Sequence, residues 1–153
     1  MDAFDRKILA ILQQDSSLSV AEVAERVGLS ATPCWRRIRN LQDAGVIERE
    51  AAILNPDKLN VGVTVFVNIR TTQHNIDWFE RFAGVVAKID EVVEFYRMSG
   101  DVDYLLRIVV PDIAAYDKVY KRLIAEIELS DVTSSFAMER IKHTTALPLN
   151  YIG

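Results

Sequence analysis

Residues Leu18 to Ile47 read LSVAEVAERVGLSATPCWRRIRNLQDAGVI, the pattern of a helix, a tight turn, a second helix and the beginning of a β-ribbon. Ser19 can cap the first helix, and Glu22, three residues later, can complete a capping box. Gly28 can adopt the positive φ that a helix C-terminus often requires, and Ser30 can cap the next helix. Two helices joined so tightly must cross steeply, so the stretch predicts a helix-turn-helix.

The second helix, predicted from about Ala31 to Ala44, carries most of the polar chemistry. Three arginines precede its first carboxylate, Asp43. Arginine pairs with phosphate or forks onto a guanine edge, and Thr, Asn and Gln hydrogen-bond to bases or backbone. A solvated basic face is the alternative, but the cap, glycine turn and basic helix together favour DNA recognition. The predicted DNA-contacting residues are Ser30, Thr32, Pro33, Trp35, Arg36, Arg37, Arg39 and Asn40.

The composition indicates a globular protein without a membrane segment. At 153 residues the chain can form one domain or two small ones, and an apolar content of 50% is enough to bury a core. No apolar run approaches the roughly 20 residues that span a bilayer, and Met1 to Asp5 lack the features of a signal peptide. We therefore expect a cytoplasmic protein. Its single cysteine, Cys34, forms no internal disulfide, and a packing role is favoured over thiol sensing.

Positive charge is local in this sequence. The net charge is −4, and residues 1–59 contain eight Lys and Arg against nine Asp and Glu. One narrow basic helix would therefore have to hold the DNA phosphates. Two or more copies of that helix on the same duplex would bind more strongly than one. The charge pattern thus favours an oligomer.

Two further features complete the predicted first domain. An apolar stripe after Asp2 predicts a helix that packs beneath the other two. After Gly45, the run from Val46 to Leu54 has β character and predicts the wing of a winged helix. Asn55 to Asp57 are turn residues that mark the end of the domain. Residues 1–59 are therefore predicted to form a winged helix-turn-helix domain with its linker.

The rest of the sequence changes from helical periodicity to strand periodicity. Residues 61–70 alternate in the manner of a half-buried strand. Further strands are predicted at about 92–98, 104–110 and 132–141, and helices at 76–89 and after Asp112. The order βαββαβ predicts a ferredoxin-like α+β domain over residues 60–153, with both helices on one face of a four-stranded antiparallel sheet.

The opposite face of this sheet predicts an interface. Strand residues on both sides look largely apolar, so the face without helices requires a cover. A second copy of the same domain is the simplest cover. We therefore expect a dimer through the second domain.

Catalytic and metal-binding patterns are missing from the sequence. His74 and His143 have no partner at metal-ligand spacing, so no metal or other cofactor is predicted. Asp101 and Asp103 form a carboxylate pair, but no nucleophile and base, phosphate-binding glycine loop or oxyanion site accompanies them. The sequence therefore favours a binding protein over an enzyme.

These features together resemble a known family. Leu29 to Ile38 (LSATPCWRRI), Leu41 and Gly45 to Ile47 precede a βαββαβ pattern with the hairpin Ser99 to Tyr104 (SGDVDY). This order is similar to that of the Lrp/AsnC transcription regulators over essentially the whole chain. The resemblance implies a regulator of amino-acid metabolism whose second domain dimerises, assembles into tetramers or octamers and binds an amino acid between subunits. The recognition helix and the chain end look most like the branch with a cysteine-responsive regulator, which implies cysteine or another small amino acid as effector.

The hairpin between the middle strands is the candidate effector site. Gly100 permits close backbone approach, Asp101 and Asp103 supply carboxylates for an α-ammonium group, and turn N–H groups can receive an α-carboxylate. A simple turn is the alternative interpretation of these residues. Carried over from the family by position, the candidate effector residues are Met98, Ser99, Gly100, Asp101, Asp103, Tyr104, Thr133 and Ser134.

The sequence thus predicts a sequence-specific regulator that binds double-stranded DNA and is controlled by an amino acid at an oligomer interface. Such a ligand alters DNA affinity only by favouring one arrangement of the subunits over another. Two alternatives stay open: an amino-acid-binding sensor module without specific DNA binding, and a metabolic enzyme with an accessory first domain.

Overall fold

The computed structural model describes residues 1–152, and the chain forms two compact units. The first, here called the helical unit, contains residues 1–53 and 141–152. The second, the sheet unit, contains Leu54–Arg140. None of the described helices is both long and apolar enough to span a membrane.

The helical unit contains α1 (Ala3–Leu12), α2 (Val20–Val27) and α3 (Ala31–Asp43). The side chains of Ser19 and Glu22 form the predicted capping box on α2, and Gly28 ends this helix with a φ of 79°. Ser30 occupies the N-cap position of α3, but contrary to prediction its side chain makes no capping hydrogen bond. The tight connection between α2 and α3 confirms the predicted helix-turn-helix.

The core of the helical unit lies where its three helices meet. Its buried residues are Ile8, Leu9, Val23, Ala24, Val27, Cys34, Ile38 and Leu41. Cys34 is fully buried, which confirms that it packs as a small apolar side chain. Burial raises the pKa of its thiol, because the charged thiolate loses solvation.

The segment after α3 differs from the predicted fold. Residues 44–62 contain no β-strand, so the wing predicted at Val46 to Leu54 is not formed. Ile47 packs against the helical core, whereas Ile53 and Leu54 are 72% and 65% exposed. A strand requires a neighbour for its backbone hydrogen bonds, and the described part of the helical unit contains no strand that could serve as one.

The sheet unit has the predicted βαββαβ order. Its elements are β1 (Val63–Arg70), α4 (Ile76–Val86), β2 (Val92–Arg97), β3 (Tyr104–Val110), α5 (Ile113–Glu126) and β4 (Asp131–Phe136). The sheet order is β2-β3-β1-β4, and all pairs are antiparallel. This arrangement confirms the ferredoxin-like α+β class. β4 ends at Phe136 rather than near the predicted Ile141.

Helices α4 and α5 pack on one face of the sheet. Alternate residues of the two central strands form the sheet side of this core: Val65, Val67, Ile69, Tyr104, Leu106, Ile108 and Val110. Trp78 and Phe82 of α4 and Leu123 of α5 pack against them. Trp78 is buried, whereas the neighbouring Phe79 is 39% exposed.

The other face of the sheet is more polar than predicted. It includes Thr64 and Asn68 of β1, and Arg107 Nη2 of β3 lies 3.0 Å from Glu94 Oε1 of β2. Phe66, which is 38% exposed, lies on the same face. The expectation that both faces are largely apolar is therefore correct only in part, because Thr64, Asn68 and Arg107 share this face with the apolar Phe66, Leu105 and Val109.

The C-terminal tail packs in the helical unit. Gln13 Nε2 donates a hydrogen bond to the Leu147 carbonyl at 3.1 Å, and the Leu147 N–H donates to Gln13 Oε1 at 2.9 Å. Arg6 Nη2 donates to the Ile152 carbonyl at 2.7 Å, and Leu149 and Ile152 pack against the helical core. The predicted division assigned this tail to the second domain. The tail instead belongs to the helical unit, because its hydrogen-bond partners lie on or next to α1.

Candidate DNA-recognition helix and effector region

Helix α3 presents most of the predicted DNA-contacting residues to solvent. Cys34, Ile38 and Leu41 recur at helical spacing and are buried. Trp35 is 55% exposed and is not part of the core. The exposed members of the predicted set are Ser30, Thr32, Pro33, Trp35, Arg36, Arg39 and Asn40. The spacing of positions 32, 35, 36 and 39 places hydroxyl, aromatic and cationic groups on one side of the helix.

Arg36 and Arg39 supply the accessible positive charge of α3. Arg36 makes no ion pair within the described residues, and Arg39 Nε lies 4.0 Å from Asp43 Oδ1. An exposed pair at this distance is weak and screened by salt. Both guanidinium groups are therefore available to phosphates or base edges.

Arg37 is placed differently. Its Nη1 lies 2.8 Å from Asp2 Oδ2 and 2.8 Å from Asp5 Oδ1, and its Cζ lies 5.4 Å from the centre of the Phe4 ring. The hydrogen bond to Asp5, followed by that to Asp2, raises the pKa of the guanidinium. The backbone N–H of Asp5 lowers the pKa of Asp2, and Arg37 adds to this effect. Arg37 is thus bound to the N-terminus of α1.

The predicted effector hairpin is an exposed loop between β2 and β3. The Met98 N–H donates to the Asp103 carbonyl at 2.8 Å and closes the loop. Gly100 has a φ of 113°, which a residue with a Cβ rarely adopts. Met98, Ser99, Gly100 and Asp101 are all exposed. This part of the predicted site is accessible to a ligand.

Asp103 and Tyr104 have partners within the sheet unit. Asp103 Oδ2 accepts a hydrogen bond from the Thr71 N–H at 2.8 Å, and the Asp103 N–H donates to the Ile69 carbonyl at 3.0 Å. Tyr104 is buried, and its ring centre lies 5.3 Å from that of Phe82. These two residues anchor the hairpin to β1 and to the core.

Thr133 and Ser134 lie on opposite faces of β4. Ser134 pairs with Val67, and its hydroxyl is hydrogen-bonded to the Tyr116 hydroxyl on the face that the helices cover. Thr133 pairs with Asn68 and lies on the other face. β1 separates β4 from β3, so neither residue is a strand neighbour of the hairpin. One chain therefore does not bring all eight predicted effector residues together.

The histidines and the two hairpin carboxylates of the described residues lie in different environments. Within residues 1–152, no group of three His, Cys, Asp or Glu side chains is placed to hold a metal ion. His74 and His143 are both exposed. The Asp101 side chain is exposed, whereas the Asp103 carboxylate accepts a hydrogen bond from the Thr71 N–H.

Two sets of contacts were missed by the sequence analysis. Asp2 and Asp5 bind Arg37, and the Thr71 backbone binds Asp103. The pairs Asp5–Arg37 and Thr71–Asp103 are each 32 residues apart in the chain, so no local motif reveals them. One sequence signal was available for Arg37: its position lies beside the buried residues Cys34, Ile38 and Leu41 of α3, on the side that faces the rest of the helical unit.

The fold and the exposed basic helix define the class of this protein as a helix-turn-helix regulator with an attached α+β domain. Residues 1–48 match the winged helix-turn-helix DNA-binding family, and residues 64–147 match the Lrp/AsnC ligand-binding domain. The chain belongs to the Lrp/AsnC family of transcription regulators.

Similar proteins cover nearly the whole chain. The chain is 50% identical over 150 residues to the DNA-binding transcriptional activator DecR of Escherichia coli (strain K12), covering 97% of this chain and 99% of the relative. It is 48% identical over 149 residues to the glutamate uptake regulatory protein of Zymomonas mobilis, covering 97% and 91%. An AsnC family regulator from Agrobacterium tumefaciens has 65% identity, a TM-score of 0.96 and 99% coverage of both chains. A Neisseria meningitidis regulator solved as an L-Met complex has 39% identity, a TM-score of 0.93 and coverage of 98% and 97%.

Proposed function

We propose that this regulator recognises a specific double-stranded DNA site through α3 and that an amino acid bound to the sheet unit controls this recognition, in a cytoplasmic homo-oligomer. One observation carries the proposal: Thr32, Arg36, Arg39 and Asn40 are exposed together on the second helix of a helix-turn-helix. Arginine, hydroxyl and amide side chains in this combination suit contacts to both phosphates and base edges. The ligand-binding domain in the same chain provides the means of control.

The limited positive charge of α3 supports action as an oligomer. Arg36 and Arg39 offer about two phosphate contacts per chain, and specific complexes usually rest on more. Two linked copies on one duplex bind at a high effective concentration. We place the chain on DNA as a homodimer that assembles further into a tetramer or octamer. The dimer surface in this proposal is the sheet face that the helices leave open.

The exposed hairpin is the proposed receptor for the effector's α-amino-acid group. Asp101 is suited to the ammonium group, and the turn N–H groups around Gly100 are suited to the carboxylate. Thr133 and Ser134 lie away from the hairpin in one chain, so in this proposal a second copy completes the site. The Neisseria meningitidis relative was solved in complex with L-Met, and the Zymomonas mobilis relative is a glutamate uptake regulatory protein. Both relatives support an amino acid as the ligand class. Cysteine or another small amino acid stays our prediction for its identity.

A thermal-stability screen of the full chain tests the effector. Each of the twenty common amino acids is added at millimolar concentration. A ligand that binds only the folded state at 100 times its Kd stabilises that state by about 2.7 kcal/mol. We expect one amino acid or a small chemically related group to raise the melting temperature. A flat response to all twenty would contradict the proposed ligand class.

Asp101→Ala tests the hairpin. We expect this variant to lose the selective thermal shift while its DNA binding without ligand is unchanged, because the loop lies outside the helical unit. Asp90→Ala is the matched control, since it removes an exposed carboxylate elsewhere in the sheet unit. An unaltered thermal shift in Asp101→Ala would remove Asp101 from the site.

Arg36→Ala tests the DNA contact, with a duplex selected by the wild-type chain from a random-sequence library as the probe. Loss of one phosphate contact should weaken binding roughly 5- to 10-fold and reduce the salt slope by about 1. Arg81→Ala removes an exposed arginine from α4 and serves as the control. Equal binding by both variants would contradict the role of Arg36. Selection of no preferred sequence, with amino-acid binding retained, would favour the sensor module without specific DNA binding.

A further inference from the structure

Three arginines lie on α3, but only one is held by the rest of the helical unit through two close carboxylates. Arg37 Nη1 lies 2.8 Å from both Asp2 and Asp5, and its side chain is 31% exposed. The Asp5 side chain is only 17% exposed. The guanidinium also lies over the Phe4 ring. Such partly desolvated, charge-assisted contacts restrain a side chain more than exposed ion pairs do.

The two carboxylates are themselves fixed by the end of α1. Asp2 caps this helix by accepting hydrogen bonds from the N–H groups of Phe4 and Asp5. In return, Asp5 Oδ2 accepts from the Asp2 N–H at 3.0 Å. The oxygens that bind Arg37 are the remaining ones, Asp2 Oδ2 and Asp5 Oδ1. The capping box therefore presents a preformed two-oxygen acceptor to α3.

We propose that Arg37 is a positioning residue that fixes α3 against α1, and that it does not contact DNA. This inference rests on the proposed function of α3 in DNA recognition. A phosphate that recruited Arg37 would first have to break both ion pairs and the contact with Phe4. Arg36 and Arg39, which have no such restraint, make the DNA contacts. By fixing the rotation of α3 about its own axis, Arg37 sets which base edges those side chains reach.

The Asp5→Asn variant distinguishes a positioning role of Arg37 from direct DNA contact, because the two roles predict opposite changes in DNA affinity. Asparagine can still accept the Asp2 N–H, so the cap on α1 is retained, while the ion pair with Arg37 is lost. If Arg37 positions α3, binding to the selected duplex weakens by roughly 3- to 10-fold, and discrimination against a scrambled duplex falls. If Arg37 contacts DNA, Asp5→Asn strengthens binding, because it removes one of the two ion pairs that hold the guanidinium away from DNA and a negative charge near the phosphates. Glu25→Gln is the control, since it removes one exposed charge from α2 without breaking any ion pair among the described residues.

Arg37 variants provide a second readout that does not depend on Asp5. Arg37→Gln should weaken binding but leave the salt slope unchanged, whereas Arg36→Ala reduces it by about 1. Arg37→Lys retains one ion pair and should restore part of the affinity and of the thermal stability. A salt slope reduced equally in Arg37→Gln and Arg36→Ala would overturn the positioning role. If Arg36→Ala also leaves binding unchanged, the proposed use of α3 fails, so the two failures are distinguishable.

Discussion

The two units of this protein expose their candidate sites in different ways. In the helical unit, the accessible candidate residues lie on one helix, α3, whose other side is held by the core. In the sheet unit, the candidates are divided between an exposed loop, a buried ring and the two faces of β4. A surface on one helix is complete within a single chain. A site divided over a sheet in this way requires a second contributor, which is why we propose that another copy completes it.

The two units also have separate cores, and this separation predicts the largest effect. Phe82 of the sheet unit and Ile8 of the helical unit are both fully buried. Phe82→Ala should cost about 3–5 kcal/mol, and Ile8→Ala about 2–5 kcal/mol. We expect each variant to increase hydrogen exchange mainly in its own unit. Mass spectrometry of peptides from α2 and β3 measures this exchange. Equal loss of protection in both units would show that the two cores unfold as one.

The tail offers a smaller test, because it shows whether the helical unit depends on the end of the chain. Leu149 is partly buried against the helical core. Leu149→Ala should destabilise that unit by about 1–2 kcal/mol through lost apolar burial. The readout is faster exchange in α1 with β3 unchanged. Leu147→Ala is the control, since that side chain is 72% exposed and only its backbone bonds to Gln13. Similar exchange in both variants would show that Leu149 adds nothing to the core.

Within the sheet unit, β4 allows a comparison between neighbouring residues. Ser134→Ala removes the partner of the Tyr116 hydroxyl and should cost about 1 kcal/mol. Thr133→Ala alters an exposed position and should change stability by less than about 0.5 kcal/mol. Urea unfolding of the two variants measures the difference. Desolvation raises the pKa of Tyr116 while the Ser134 bond opposes this effect, so Ser134→Ala should also raise the pKa of Tyr116 further in a spectroscopic titration.

The sequence predicted those features that depend on neighbouring residues. The capping box at Ser19, the turn at Gly28 and the order of strands and helices follow from local patterns. The missing wing shows the limit of such patterns, because β propensity after Gly45 forms no strand without a partner. The role of Arg37 and the location of the tail depend on contacts 32 and 134 residues away, respectively. Distant contacts of this kind decide which charged residues are free to act.

Acid provides the smallest expected effect, and it compares α2 with α4, whose N-termini are capped by different groups. The side-chain and backbone hydrogen bonds from Ser19 lower the pKa of Glu22 below its usual value near 4.5. A lowered folded-state pKa means that the stabilisation is present above the unfolded value and is lost as the pH falls through the folded one. Helix α4 of the sheet unit is capped by the Asn75 amide, which does not titrate.

We therefore expect α2 to lose exchange protection below about pH 4.5, relative to α4, and Glu22→Gln to reduce this loss. Glutamine can still accept a hydrogen bond from the Ser19 N–H, but it has no negative charge that protonation could remove. Glu80→Gln, an exposed position on α4, is the control and should leave the pH dependence of α2 unaltered. The pKa of Asp2 and of Asp15 in the helical unit is also lowered, so some acid sensitivity should remain in Glu22→Gln. If the exchange protection of α2 depends on pH in the same way in Glu22→Gln and in the wild type, the capping box does not contribute to the acid response.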